Sequence, residues 1–483
     1  MYCLGVFSVD YRVEKDPLGE IKVPREAFYG IHTVRAASNF KVSGIMTHPA
    51  LIRAMAQVKQ AAALANMGAG LLERRLGEAI VQSAGEIAGG GLAGQFIVDA
   101  FQGGAGTSTN MNVNEVIANR AIELLGGVKG DYSLVHPLEH VNMSQSTNDV
   151  YPTALRIAAI GMVLELSEAL AGLQSALQDK EASFAGILKL GRTEMQDAVP
   201  VTLGQEFSAF AEAVARDRWR LYKVEERLRQ VNMGGTAVGT GLNANHKYIY
   251  TVIEELRSIT GIGLARSENM IDLTQNADVF VEISGLLKAA AVNLAKIAGD
   301  LRLLSSGPLG GLAEIRLPQV QAGSSIMPGK VNPVIPEMAT QVAFQVMGND
   351  QVIAAAAAGG QLELNAFIPL IAHNLLSSLE MLINAANLFA EKCVKNIQAD
   401  EERCRRWLEE SYGFITALTP HLGYDLASEL VKRAYRGKKN LRQLILESGL
   451  YTEEELEALF TPGELTRPGV AGAKILRKGR GLK

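Results

Sequence analysis

Long apolar stretches at helical spacing dominate the middle of the chain. They are rich in alanine and leucine and carry recurring charges, as in AEAVARDRWRLYKVEERLRQV at residues 211–231. These charges exclude a membrane span, which needs ~20 predominantly apolar residues. Several stretches far exceed the globular mean of about 11–12 residues, so they predict helices packed together in a bundle. The predicted long helices cover residues 152–183, 201–233, 272–305, 334–358 and 370–395.

The two ends of the chain have a different character from the middle. Residues 1–50 look irregular and contain Pro17 and Pro24, whereas helical spacing holds from about residue 50 to residue 97. From about Asp400 the chain becomes charged and predicts short helices. We therefore predict a mainly α fold with three domains. They are a mostly helical N-terminal domain at 1–148, a five-helix bundle at 149–397 and a small helical C-terminal domain at 398–483.

The length of the predicted helices bears on the oligomeric state. A helix of thirty residues is about 45 Å long. One small neighbouring domain cannot cover that length. The five helices of one subunit also cannot bury all of their apolar surface against each other. We therefore expect a homo-oligomer in which subunits share the bundle.

Composition narrows the class of protein. The 483 residues are 48% hydrophobic with a net charge of −4, and acids and bases alternate without a basic stripe that would bind nucleic acid. The N-terminus lacks the basic first region of a secretion signal. Cys3, Cys393 and Cys404 form neither a disulfide framework nor a metal-binding spacing. We expect a soluble protein of the reducing cytoplasm, without nucleic-acid or membrane partners and without a bound metal.

Four polar segments interrupt this apolar background and are predicted to be loops. Each concentrates short hydroxyl and amide side chains. Capping and turns explain one or two such residues at a helix end, but the first two segments named below carry five each. The alternative is a site for a small dicarboxylate, held by neutral donors and a single cation, Lys330, without burying several charges. The segments are GTSTNMN (106–112), SQSTND (144–149), GRTEMQD (191–197) and GSSIMPGKVNP (323–333).

The last of these segments resembles the signature of the aspartase/fumarase superfamily. Prolines and glycines make it a loop, and its two serines, lysine and asparagine fall within eleven residues. Other segments resemble the superfamily in the right order, so the resemblance extends over nearly the whole chain. They are FYGIHTVRAASNF (28–40), NMNVNEVIANRA (110–121), VNMSQSTNDVYPT (141–153), DAVPVTLGQEF (197–207) and GYDLASELVKRA (423–434).

Three features resemble the ammonia-lyases of this superfamily more than its fumarate hydratases. The signature continues as GKVNPVIPEMATQVAFQVMGND (329–350), and residues 191–200 read GRTEMQDAVP. In the third feature, Glu194 replaces the histidine that hydratases pair with a glutamate matching Glu337. Fumarate hydratase is the alternative, and a non-catalytic protein of the lens type is a more distant one.

The resemblance implies a fold and a reaction. The fold is mainly α, with three domains and a homotetramer built around a twenty-helix core. The reaction is the reversible deamination of L-aspartate to fumarate and ammonia, and no organic cofactor is required. Some members respond to a divalent metal such as Mg²⁺, and no ligand cluster in the sequence decides this point. Active sites in the superfamily draw loops from three subunits.

The resemblance also implies a role for each candidate residue. Ser324 removes the proton from C3 of aspartate, and Lys330 with backbone N–H groups favours its alkoxide. Asn148 faces the amino group, while Glu194 either attracts the substrate ammonium or is structural. The remaining assignments are Thr107, Ser146, Thr147 and Ser325 for the β-carboxylate, Lys330, Asn332 and Thr193 for the α-carboxylate, and Glu337 for positioning Lys330 or capping the next helix.

Overall fold

A computed structural model describes residues 10–475 of the chain and confirms a mainly α fold. The helices it describes are α1 Ile31–Asn39, α2 Pro49–Gly68, α3 Arg74–Ala88, α4 Thr107–Leu124, α5 Thr147–Ser183, α6 Leu203–Tyr222, α7 Val224–Leu228, α8 His246–Thr260, α9 Met270–Gln275, α10 Asp278–Leu304, α11 Val334–Ala358, α12 Ile368–Lys392, α13 Glu401–Glu410, α14 Ile415–Leu422, α15 Tyr424–Gly437, α16 Leu441–Glu447, α17 Glu453–Leu459 and α18 Pro462–Leu465.

The described strands form four two-stranded sheets. The first, second and fourth pairs are antiparallel and the third is parallel. The strands are β1 Tyr11–Asp16 with β2 Gly19–Pro24, β3 Leu188–Thr193 with β4 Gln196–Thr202, β5 Gln230–Val231 with β6 Ala265–Arg266, and β7 Ile315–Arg316 with β8 Gln398–Ala399. Within residues 10–50, the β1–β2 hairpin and α1 correct the prediction of irregular structure, and the first nine residues of that prediction lie outside the described part of the chain.

Five long helices, α5, α6, α10, α11 and α12, correspond to the predicted runs. Two of the predicted runs are interrupted. The run at 201–233 stops being helical at Leu228, because the next residues pair with β6 as strand β5. The run at 272–305 breaks before Asp278, because Asn276 takes an extended conformation at the end of α9. Strand pairing at the first point and an extended residue at the second therefore override apolar spacing.

Helix α5 begins earlier than the sequence predicts. Pro152 lies inside the helix rather than at its start, because α5 already begins at Thr147. A proline within a helix leaves the carbonyl four residues before it without its usual N–H donor. That carbonyl belongs to Asn148, and it accepts a hydrogen bond from the side chain of Asn232 at 3.0 Å. A distant amide therefore compensates for the proline.

The chain divides into two compact units. Unit 1 holds the residues up to Ser167 together with Trp219–Ala291 and Phe344–Leu382. Unit 2 holds Glu168–Arg218, Val292–Ala343 and the residues from Ile383 onward. The division into domains at 1–148, 149–397 and 398–483 stays a prediction.

Each unit has its own buried core. In unit 1, Met55 of α2, Ile80 of α3 and Val116 of α4 are fully buried. In unit 2, the short helices after residue 400 enclose a cluster that includes Phe414 and Leu430. Between residues 10 and 475, no helix combines the length and apolar character that crossing a membrane requires. Cys393 and Cys404 are buried and free, and Cys3 lies outside the described residues.

Candidate active site

The first polar segment is the start of helix α4 rather than a loop. Thr107 is the first residue of the helix, and its hydroxyl donates to the carbonyl of Gly104 at 2.7 Å. Its side chain is exposed, while Asn110 and Asn112 further along the helix are buried. Hydroxyl and amide residues therefore form the first turns of α4, where the backbone N–H groups of Thr107 and Thr109 donate to the carbonyl of Gly104 and to the side chain of Gln102.

The second polar segment leads into helix α5 and is held by a buried carboxylate. Asp149 accepts the backbone N–H of Ser146 at 2.9 Å through one oxygen. Its other oxygen accepts the N–H groups of Gly234 at 3.2 Å and Thr236 at 2.9 Å. Asp149 thus fixes the backbone that carries the predicted donors Ser146, Thr147 and Asn148.

Asn148 of the second segment lines a cleft in unit 1. Its side chain donates to the carbonyl of Ala237 at 2.8 Å, which holds the amide at the cleft wall. Ala105, just before α4, lines the same cleft, whose empty volume is about 280 Å³. The other lining residues are Pro152, Leu273, Thr274, Asn276, Leu364, Asn365 and Ile368.

A buried lysine contacts the second polar segment. Lys59 of α2 is fully buried, and its ammonium donates to Asn142 Oδ1 at 2.8 Å and Gln145 Oε1 at 2.9 Å. Burial lowers the pKa of Lys59 to about 7 and raises the pKa of Asp149 to about 7. Sequence reasoning missed both groups. A lone lysine inside the apolar AMAQVKQAAALA run was the available signal for Lys59.

The third polar segment is the tip of the β3–β4 hairpin in unit 2. Thr193 pairs with Gln196, so Glu194 and Met195 form a two-residue turn. Both turn residues have positive φ, 53° and 64°, as in a type I′ turn. A side chain in this region costs ~1–3 kcal/mol, and the rest of the hairpin must hold it there. Thr193 and Glu194 are exposed at this strained tip.

The fourth polar segment is a loop, as predicted, and it begins with a close backbone approach. A β-carbon at Gly323 would lie only 1.6 Å from the carbonyl oxygen of Lys330, so the loop requires glycine there. The Ser324 hydroxyl oxygen accepts the N–H groups of Ile326 at 3.2 Å and Met327 at 3.0 Å. Two backbone donors therefore point at the predicted base.

The remaining candidates of unit 2 lie in this loop or in the first turn of the helix that follows it. Ser325 and Lys330 are exposed and Asn332 is half-buried. Glu337 lies in the first turn of α11 and forms an ion pair with Arg302 at 3.8 Å. The structure thus supplies four candidates from unit 1 and seven from unit 2. Within residues 10–475, no group of three His, Cys, Asp or Glu side chains is arranged to hold a metal ion.

Comparison with known families identifies the class of protein. A family model described as "Lyase" matches residues 19–348, and one described as "Fumarase C C-terminus" matches residues 414–467. The chain therefore belongs to this lyase family, within the aspartase/fumarase superfamily.

Individual relatives narrow the family further. An aspartate ammonia-lyase from Bacillus sp is 50% identical, covering 97% of this chain and 100% of that protein. One from Bacillus subtilis (strain 168) is 49% identical, covering 97% and 99%. The crystal structure of a fumarate lyase:delta crystallin from Brucella melitensis bound to cobalt has a TM-score of 0.89. It is 51% identical and covers 92% of this chain and 96% of that one.

Proposed function

We propose that this chain is an aspartate ammonia-lyase, which converts L-aspartate reversibly to fumarate and ammonia. Its full-length relatives carry that name at about 50% identity. The observation that carries the proposal is the environment of Ser324, whose hydroxyl oxygen accepts two backbone N–H groups at 3.0 and 3.2 Å. Donors in this position stabilise negative charge on the oxygen and favour the alkoxide that a serine base needs.

In the proposed first step, the Ser324 alkoxide takes the proton from C3 of aspartate. The electron pair of the C3–H bond moves into the β-carboxylate, which becomes an enediolate with one more negative charge. Thr107, Ser146, Thr147 and Ser325 donate to it. A donor aimed at developing charge contributes about 3–4 kcal/mol, so several lower the barrier substantially.

In the second step, the enediolate collapses to the C2=C3 double bond and the C2–N bond breaks. Nitrogen leaves with the electron pair as ammonia, and Ser324 passes its proton to solvent. Asn148 faces the amino group, held towards the cleft by its hydrogen bond to Ala237 at 2.8 Å. Lys330, Asn332 and Thr193 hold the α-carboxylate.

The proposal assigns Glu194 to substrate selection. Its exposed carboxylate at the hairpin tip attracts the ammonium of aspartate, whereas the neutral hydroxyl of malate gains nothing from it. Hydratases carry histidine at the matching position, so Glu194 disfavours that alternative. Glu337 takes a supporting role at the start of α11.

The proposal extends to the assembly, location and cofactors of the enzyme. Unit 1 and unit 2 each carry part of the residue set, and we propose a cytoplasmic homotetramer whose sites combine segments from three subunits. The proposed reaction requires no organic cofactor. Initial rates measured with EDTA and with added Mg²⁺ determine whether a divalent metal activates the enzyme.

The absorbance of fumarate tests the proposal directly. Purified protein is given L-aspartate and, separately, L-malate, and the appearance of fumarate is followed. We expect signal with aspartate and none with malate. Signal with malate alone would identify a hydratase, and silence with both would identify a non-catalytic protein of the lens type.

A further inference from the structure

The β3–β4 hairpin carries a β-bulge directly before its tip, where the proposed substrate residues Thr193 and Glu194 lie. Leu190 pairs with Pro200 and Arg192 with Asp197, so β4 contributes one residue more than β3 between these two pairs. An extra residue of this kind bends the strand pair and increases its local twist. Beside the bulge, Lys189 and Arg192 of β3 both reach the carboxylate of Glu314.

The partners form a charge cluster, defined here as Lys189, Arg192, Glu206 and Glu314. Glu314 lies 2.8 Å from Arg192 and 3.0 Å from Lys189 through its two oxygens. Lys189 also donates to Glu206 at 2.6 Å. The side chains of Glu314 and Lys189 are 0% and 1% exposed. The cluster contains two cations and two anions, so each buried charge has an opposite partner.

Glu314 lies shortly before the loop that carries Ser324 in the sequence. It directly precedes strand β7, and the loop of residues 317–333 follows that strand. Its backbone N–H donates to Leu304 at 2.9 Å, and its carbonyl accepts from Asp400 at 2.9 Å. Hydrogen bonds therefore hold the backbone of Glu314 through both its N–H and its carbonyl. Its side chain contacts Lys189 and Arg192 of the β3–β4 hairpin.

We propose that Glu314 is a positioning residue that holds the Ser324 loop in register with the hairpin carrying Thr193 and Glu194. This proposal rests on the proposed function and deepens it. Glu314 touches no substrate. It acts through Arg192, which immediately precedes Thr193, and through β7, which leads to the loop.

An ion pair at this position fixes the distance and orientation of its two partners. An apolar contact at this place would tolerate sliding, whereas the Arg192–Glu314 pair fixes both partners within hydrogen-bonding distance. Misplacing a reacting group by about 1 Å can cost ~10²-fold in rate. Loss of the Glu314 charge should therefore slow proton abstraction more than it weakens substrate binding.

Glu314→Gln tests the proposal in the full-length enzyme, with Glu206→Gln as the matched control. Both substitutions remove one anion from the cluster, but only the first releases the loop. Activity is measured per folded subunit, with L-aspartate and with L-aspartate deuterated at C3. We expect kcat of Glu314→Gln to fall ~10–10²-fold below that of Glu206→Gln, with KM changed less than about threefold. The deuterium isotope effect on kcat should rise above that of the parent.

Partial unfolding lowers the number of active subunits but leaves the isotope effect unchanged. An isotope effect equal to that of the parent, or a kcat equal to that of the control, would overturn the proposal. Should Glu314→Gln fail to fold, Glu314→Asp keeps the charge and shortens the reach, and the same two readouts decide with a smaller expected change. A parent enzyme inactive with aspartate would refute the proposed function instead.

Discussion

At the scale of single residues, the proposed base Ser324 accepts hydrogen bonds from its own loop. An isolated serine hydroxyl is a poor base at neutral pH. In this chain the backbone turns so that two N–H groups donate to the Ser324 oxygen, at 3.0 and 3.2 Å. The same turn depends on Gly323, which no residue with a β-carbon can replace without moving Lys330. In the proposed role of Ser324, these backbone donors favour its alkoxide.

Replacing this serine should abolish most of the activity. We expect Ser324→Ala to lower kcat by at least ~10²–10⁴, the scale for losing a general base, with little change in stability. Steady-state kinetics and thermal unfolding check both parts. Ser305→Ala, at an unrelated position in unit 2, is the control and should retain parental kcat. Near-normal turnover of Ser324→Ala would remove it from the role of base.

Lys59 predicts a dependence of stability on pH. Burial lowers its pKa from 10.5 to about 7, so between those values the unfolded chain holds a proton that the folded chain has released. The free energy of unfolding should therefore rise with pH in that window, by up to about 1.4 kcal/mol per pH unit, and lose this contribution as pH falls through 7.

Denaturant unfolding at several pH values measures this effect. Lys59→Met should lack the rise between pH 7 and 10.5, whereas the exposed Lys22→Met should retain it. Identical pH profiles for the parent and Lys59→Met would show that the buried ammonium is not the source.

At the scale of elements, a bulge shapes the β3–β4 hairpin. Gly191 lies within the register shift of β3, and a β-carbon there would lie 2.5 Å from the carbonyl oxygen of Val199. That oxygen belongs to the backbone of the opposite strand and cannot move alone. The glycine therefore allows the two strands to approach closely at the bulge, between Lys189 and Arg192.

Gly191→Ala should disturb this hairpin. We expect a loss of roughly 1–3 kcal/mol in the free energy of unfolding, the usual scale for overpacking, together with a raised KM for aspartate because Thr193 moves. Gly186→Ala is the control, since its β-carbon would meet open space. Equal unfolding midpoints for the two variants would contradict the prediction.

Polar composition alone does not distinguish a loop from the start of a helix. The segments at 106–112 and 144–149 are rich in hydroxyls and amides, yet Thr107 and Thr147 begin helices α4 and α5. Short polar side chains favour both turns and helix starts, so composition alone does not separate the two. Tertiary contacts decide, such as the carboxylate of Asp149 that holds the start of α5.

At the scale of the whole molecule, we expect an assembly of subunits to complete the proposed site. The candidate residues are divided between unit 1 and unit 2, with Asn148 in the first and Ser324 in the second. We expect light scattering to give the mass of a tetramer, because long helices leave apolar surface that other subunits cover. An active monomer would contradict the shared site.

Complementation tests the sharing of sites between subunits. Ser324→Ala and Asn148→Ala, each inactive alone, are refolded or expressed together as mixed tetramers. If the two residues of one site come from different subunits, about a quarter of the sites regain both intact residues. Activity near that fraction is the expected result, and a mixture as inactive as its components would place both residues in one subunit.

The sequence by itself determined the fold class, the family and the polar segments of this protein. Apolar spacing predicts the long helices, because a long helix must bury a continuous stripe, and the GSSIMPGKVNP signature is contained in eleven consecutive residues. Only the tertiary structure decided that Lys59 donates to Asn142 and Gln145, that Asn232 compensates for Pro152, and that Lys189 and Arg192 meet Glu314. These contacts join residues far apart in the chain, and spacing along one sequence contains no measure of such distances.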